Sequence, residues 1–207
     1  MSDGTLLKIS HMEESSTLLG PYERFIIWVH GCCFDCEGCV AENTKNGAYE
    51  EVKTDGLARW IASSPCEGIT VSGGEPFLQA KALADLIGKI KKHRDIGVIV
   101  YSGFTLEEIK QDKEKIPFLS CIDVLIDGRY VKALDDNRAY VGSSNQVIHY
   151  LSQRYADIGK TYYAAEKRRA EIKLTGTQAI LIGVPSHSVL KTWQDIKEKS
   201  GGMRNDF

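Results

Sequence analysis

Phe25-Ile26-Ile27-Trp28-Val29 runs, across His30, into Gly31-Cys32-Cys33-Phe34-Asp35-Cys36-Glu37-Gly38-Cys39. The first stretch is a continuous β-branched and aromatic run, the pattern of a strand buried on both faces of a parallel sheet. The second is a loop at that strand's C-terminal end, where ligands gather in alternating strand-helix folds because the loops vary while the sheet holds them. Cys32, Cys36 and Cys39 give the spacing Cys-x3-Cys-x2-Cys. One tight loop then offers three thiolates to a single 4Fe-4S cube and leaves one iron without a protein ligand. Zinc usually takes two separated pairs or histidines at matching spacing, and no second pair follows. With no secretory leader ahead of the loop, disulfides are not expected. Cys33 with Cys36 and Cys39 makes a ferredoxin-like run whose fourth ligand is missing, so Cys33 reads as a neighbour of the cluster.

The same unit repeats downstream. Gly68-Ile69-Thr70-Val71-Ser72 is a second strand that runs into Gly73-Gly74-Glu75-Pro76, then a long helix with Leu78, Ala82, Leu83, Leu86, Ile87 and Ile90 inward. Two glycines without Cβ let backbone approach a ligand closely, and Glu75 places a carboxylate where an ammonium group can meet it. Gly-Gly and Glu-Pro also occur in ordinary turns. Before this unit, Leu57, Trp60 and Ile61 recur at helical spacing behind Thr54-Asp55. Ile96 to Tyr101 is a third strand, ending in Ser102-Gly103, and Thr105 with Glu108 fits a capping box. Ile122 to Gly128 is a fourth, with Asp127 closing a turn with Gly128 or orienting Arg138 or Lys132. Gly142-Ser143-Ser144-Asn145-Gln146 reads as a helix start before Val147, Ile148 and Leu151. Ser143 or Ser144 is then its N-cap, and the donor-rich end can grip a carboxylate.

A chain of 207 residues, 43% hydrophobic, buries one good core. A net charge of -2 gives no basic footprint for nucleic acid. No apolar run approaches the roughly 18 residues of a membrane helix, so a soluble, cytoplasmic protein is expected. Cys66 and Cys121 are isolated and read as packing residues.

The expected division is an N-terminal arm over residues 1–19, a core over 20–158 and an extension over 159–207 packed on the core. Within the arm, Met12-Glu13-Glu14-Ser15-Ser16 reads as mobile or as a short edge element. The extension holds a β-hairpin, Arg168 to Leu174 and Gln178 to Val184 about Thr175-Gly176-Thr177. An amphipathic helix through Val189, Leu190, Trp193 and Ile196 follows, and Gly201-Gly202 opens a polar tail. These residues either cap the open edge of the sheet or form a surface for a partner. The fold class is α/β. Four or five strand-helix units are too few for a closed eight-stranded barrel, so an open partial (β/α) barrel with parallel strands is expected, plus the C-terminal hairpin and helix.

Gly31 to Cys39 resembles the signature of the radical S-adenosylmethionine enzymes, and Ser72-Gly73-Gly74-Glu75-Pro76 resembles their methionine-binding segment. More narrowly, the chain is similar to the small activating proteins of anaerobic ribonucleotide reductase. The similarity rests on Gly20-Pro21, Trp28 to Cys32, the Gly-Gly-Glu-Pro segment, Asp123 to Gly128 and Gly142 to Gln146, within residues 18 to 150. Those proteins tend to end near the position of Tyr155, so the extension is a departure.

The resemblance implies Cys32, Cys36 and Cys39 as metal ligands. It implies Gly38, Val40, Gly73, Gly74, Glu75 and Ser102 as cofactor-binding residues, Glu75 at the methionine amine and Ser102 beside the ribose. No catalytic side chain beyond the cluster and S-adenosylmethionine is implied. The reaction is reductive cleavage of S-adenosylmethionine to a 5'-deoxyadenosyl radical, which installs a glycyl radical on a partner enzyme. An electron donor such as a flavodoxin or ferredoxin is also implied, and neither nucleic acid nor membrane. Other readings are modification of a peptide or small metabolite with the extension as recognition element, a non-catalytic iron-sulfur redox or sensing protein, and a structural zinc protein.

Overall fold

The structure is a computed structural model that describes residues 4–164, 167–175 and 178–199. Among these, strands β1 (Leu6–Ser16), β2 (Arg24–Val29), β3 (Glu50–Lys53), β4 (Gly68–Gly73), β5 (Gly97–Ser102), β6 (Val124–Asp127) and β7 (Val147–Tyr150) make one seven-stranded sheet. Its order is β3-β1-β2-β4-β5-β6-β7. The four strands expected from the apolar runs are its parallel centre, β2, β4, β5 and β6. Antiparallel pairs join β1 to β2, β3 to β1 and β7 to β6. This is a mixed α/β fold with a mostly parallel central sheet.

Alternation along the central strands sorts side chains onto two faces. Phe25, Ile27, Val29, Ile69, Val71, Val98, Val100 and Leu125 form one apolar cluster with the helices. After the short α1 (Asn43–Asn46), α2 (Thr54–Ser63) contributes Leu57 and Ile61, and α3 (Ala80–Lys91) contributes Leu83, Leu86, Ile87 and Ile90. Two further short helices, α4 (Leu106–Lys110) and α5 (Ile116–Leu119), add Ile109 and Phe118. Thr105 and Glu108 make the expected capping box on α4. Cys66 is buried in this cluster and donates to the Glu14 carbonyl over 2.9 Å, while Cys121 packs at its margin.

Four expectations need correction. Residues 6–16 are not an arm: β1 pairs with strands on both sides and buries Leu7 and Ile9 completely, because its backbone finds partners that its polar second half does not advertise. Val147, Ile148 and Tyr150 lie in a strand rather than a helix. Their stiff β-branched and aromatic side chains suit the ladder with β6. The preceding loop is closed by its own side chains, Gln146 Oε1 accepting from Gly142 N–H over 2.6 Å and Gln146 Nε2 donating to the Gly128 carbonyl over 2.7 Å, which leaves no helix end for Ser143 or Ser144 to cap. Leu78 falls in a 3-10 turn ahead of α3 and is exposed. Trp60 is also largely exposed, edge-on against Phe25 with ring centroids 5.3 Å apart.

The chain continues through α6 (Ala156–Tyr163), the antiparallel pair β8 (Ala170–Thr175) and β9 (Gln178–Gly183), and α7 (His187–Lys199). Ile180 and Ile182 pack with Leu18, Leu19, Ile26 and Trp28 on the sheet face away from α2 and α3. β9 thus covers a face of the sheet, while Tyr163 of α6 packs near Ile148 and Tyr150 of β7. The expected turn residues at 176–177 and the tail at 201–202 lie outside the described residues. No described helix is long and apolar enough to cross a membrane.

At the start of β2, Arg24 is fully buried. Its Nε donates to Thr70 Oγ1 at 2.7 Å. Nη1 donates to Glu67 Oε2 at 3.0 Å and Tyr155 Oη at 2.9 Å, and Nη2 to the carbonyls of Ile69 at 2.6 Å and Gly97 at 3.1 Å. A buried cation costs little only when its donors are all met, and here one guanidinium ties β2, β4, β5 and the approach to α6 together.

Candidate functional site

The parallel register sets Val29 beside Gly73 and Ser102 beside Asp127, so the loops after β2, β4, β5 and β6 leave the sheet on one side. The cysteine loop is pinned at its root: His30 N–H donates to the Lys8 carbonyl over 2.9 Å and Gly31 N–H to that of Thr44 over 2.8 Å. A turn from Cys39 N–H to the Cys36 carbonyl, 3.2 Å, runs through the left-handed Gly38. The six cysteines are free thiols. Cys32, Cys36 and Cys39 line one cleft at the strand ends, while Cys33 is exposed.

Burial pushes the thiols of Cys32 and Cys39 up, and the neighbouring cysteines add to the shift. The thiolate is the form that holds a metal, so binding iron would release the protons of the cysteines that ligate it. Among the described residues no group of three or more His, Cys, Asp or Glu side chains converges on one ion. A cubane asks instead for one thiolate per iron, and the free thiols on one loop fit that demand.

Gly73 and Gly74 are required by their neighbours. Gly73 has φ +103°, and a Cβ on Gly74 would stand 2.0 Å from the Gly31 carbonyl oxygen. Gly74 N–H donates to the Val29 carbonyl and Glu75 N–H to that of Gly31, each over 2.8 Å. What the glycine pair admits is the backbone of the cysteine loop itself.

Glu75 is 1% exposed at the wall of the cleft. Its Oε1 accepts from Phe77 N–H and Ser102 Oγ, both 2.9 Å, and its Oε2 from Gly103 N–H at 2.7 Å. Burial pushes its carboxyl up to about 7 despite these donors. Ser102, also buried, therefore faces Glu75. Gly38 and Val40 line the cleft as well, and Val40 is half exposed.

Asp127 orients neither Arg138 nor Lys132. It lies 3.0 Å from His149 Nε2 and accepts from Leu106 N–H, while Arg138 pairs with Asp136 and Lys132 with Glu37. Residues that local sequence patterns did not single out complete the site. Phe34 meets Phe104 edge-on with centroids 4.8 Å apart, and the Arg129 guanidinium stands 4.7 Å over the Phe34 ring. Tyr130, Asp135 and Arg168 also line the cleft, with apolar residues of β9 and α7. Aromatics spaced along different loops carry no periodic signal.

The model of the 4Fe-4S single cluster domain family matches residues 18–149. The chain is also similar to the anaerobic ribonucleoside-triphosphate reductase-activating protein of Enterobacteria phage T4, at 31% identity over 134 residues, covering 61% of this chain and 83% of that one. The protein so named from Haemophilus influenzae is 29% identical over 140 residues, covering 63% and 89%. That from Escherichia coli K12 is 28% identical over 143 residues, covering 64% and 91%. Among solved structures, QueE from Escherichia coli aligns with a TM-score of 0.41 and 14% identity over 48% of this chain and 53% of that one.

Proposed function

As a member of the 4Fe-4S single cluster domain family and a relative of the reductase-activating proteins, the chain is, we propose, a radical S-adenosylmethionine enzyme that installs a glycyl radical on a partner such as anaerobic ribonucleotide reductase. The observation that carries this reading is the joining of the cysteine loop to the Gly73-Gly74-Glu75 turn, through Glu75 N–H to the Gly31 carbonyl, at the mouth of one cleft. Its cofactors are a 4Fe-4S cluster and S-adenosylmethionine. When bound, they supply one-electron cleavage of the carbon-sulfur bond, giving methionine and a 5'-deoxyadenosyl radical that takes a hydrogen atom from the glycine Cα.

The chain's own residues bind, orient and shield. Cys32, Cys36 and Cys39 each give up a proton and hold one iron. Gly38, Val40, Gly73, Gly74, Glu75 and Ser102 form the cofactor side of the cleft. Glu75, raised by burial, regains its charge when an ammonium is set against it, and the three donors from Phe77, Ser102 and Gly103 hold its oxygens in place. The mostly parallel sheet reads as part of an open barrel whose lateral gap admits a protein segment. A flavodoxin or ferredoxin as electron donor, a cytoplasmic setting, and the organisation as a core over 20–158 with an extension over 159–207 belong to the same proposal.

The test is anaerobic reconstitution with iron and sulfide, then S-adenosylmethionine and a strong reductant, with chromatography for 5'-deoxyadenosine and methionine. Addition of the partner should then give a glycyl-radical resonance. A cluster that forms without any cleavage, with or without partner, sinks the reading.

A further inference from the structure

One wall of the cleft lies outside the family match. The match ends at residue 149, yet Leu181, Val184, Leu190 and Trp193 line the same cleft as Cys32 and Glu75. The alignments take in 83–91% of the activating proteins named above but only 61–64% of this chain, and none of the four wall residues falls within the family match over 18–149.

The wall is fixed in place. Arg168, its side chain 2% exposed, donates through Nη2 to Asp135 Oδ1 at 2.7 Å and to the carbonyls of Val141 at 2.9 Å and Gly142 at 2.8 Å. Its Nε reaches the Arg138 carbonyl at 2.8 Å and its Nη1 the Pro185 carbonyl at 3.2 Å, just ahead of α7. Tyr130 Oη and His187 Nε2 close on Asp135 Oδ2 at 3.1 Å each. A buried ion pair with its donors met is costly to open, and Ile180 and Ile182 anchor β9 on the sheet. These contacts suit a rigid wall that shapes what enters.

Apart from the mutually paired Arg168 and Asp135, its lining is apolar: Leu181, Val184, Leu190 and Trp193 line the cleft together with Leu19 and Trp28. A group held against this lining loses water, which favours apolar over polar or charged groups. We propose that Leu181, Val184, Leu190 and Trp193 are the specificity wall of the cleft, and that the partner segment it takes carries a bulky apolar side chain beside the reacting glycine. The proposal rests on the glycyl-radical reading and names the substrate class of that same site.

Fluorescence anisotropy tests it on the reconstituted chain with S-adenosylmethionine, without oxygen or reductant, so that binding is read apart from radical chemistry. The probes are two fluorescein-labelled peptides spanning the partner's radical-bearing glycine, one native and one with the residues on either side of the glycine changed to serine. The native peptide should bind about tenfold tighter, the scale on which an apolar pocket discriminates. Leu190→Ser and Val184→Ser, both at partly exposed positions, should each weaken the native peptide and leave the serine peptide within about twofold. Melting curves check that each variant is folded. Equal binding of the two peptides, discrimination untouched in both folded variants, or a native glycine without an apolar neighbour overturns the proposal. A partner that is never activated although discrimination stands overturns the activase reading and leaves the wall.

Discussion

Glu75 N–H donates to the Gly31 carbonyl over 2.8 Å, so the turn after β4 is tied directly to the residue that precedes the first cysteine. A glycine pair is the means, since any Cβ on Gly74 would stand 2.0 Å from that carbonyl oxygen. Gly74→Ala should therefore push the cysteine loop away and cut iron bound after reconstitution by at least about half, since the obstructing atom is backbone that cannot swing aside. Gly88→Ala is the matched control. Gly88 lies in α3 with open space at its Cβ position, and the change should leave iron content intact and add about 0.5–1 kcal/mol of stability. Iron assays and melting curves on both variants decide; equal iron loss would refute the argument.

Cys36 lines the cleft and Cys33 is exposed. Cys36→Ala should abolish cluster binding, while Cys33→Ala should retain most of it. Visible absorbance and the iron-to-protein ratio after anaerobic reconstitution report this, and equal losses would mean that a different trio holds the cluster.

Glu75 gives a pH dependence with a definite sign. Its folded pKa is raised to about 7 from 4.5, so its contribution to stability is fully present below about 4.5 and is lost as pH rises through about 7. Glu75→Gln lacks that titration. In the cluster-free chain, wild type should lose stability relative to Glu75→Gln by about 3 kcal/mol between pH 4.5 and 8, measured by urea unfolding. Parallel pH profiles would show that the carboxyl titrates normally in the folded chain. In the reconstituted chain Glu75→Gln should spare the cluster and weaken S-adenosylmethionine binding.

Arg24 binds Thr70, Glu67, Tyr155 and the carbonyls of Ile69 and Gly97 from a fully buried position. Arg24→Met should cost about 3–5 kcal/mol, because it leaves several buried acceptors unmet. Tyr155→Phe removes only one partner and should cost about 1–2 kcal/mol. Urea unfolding of both at neutral pH checks the ranking, and a smaller loss in Arg24→Met would contradict the network.

What the sequence determined by itself was local. Each central strand is a short apolar run closed or followed within two residues by a glycine, and both the run and its ending can be read locally. The spacing of Cys32, Cys36 and Cys39 on one loop, and the capping box at Thr105 and Glu108, are legible for the same reason. Tertiary structure decided whatever depends on a distant partner. Met12 to Ser16 look like a polar arm until β2 supplies their ladder, and Val147 to Tyr150 are too few for a period to show before β6 pairs with them. Glu75 looks like a free carboxylate until the end of β5 brings Ser102 and Gly103 to its oxygens. Arg168 looks like a surface charge until Asp135, thirty-three residues away, meets it in the wall of the cleft. Side-chain periodicity and turn chemistry act between neighbours in the chain, whereas burial and hydrogen-bond satisfaction are settled between segments that only folding brings together.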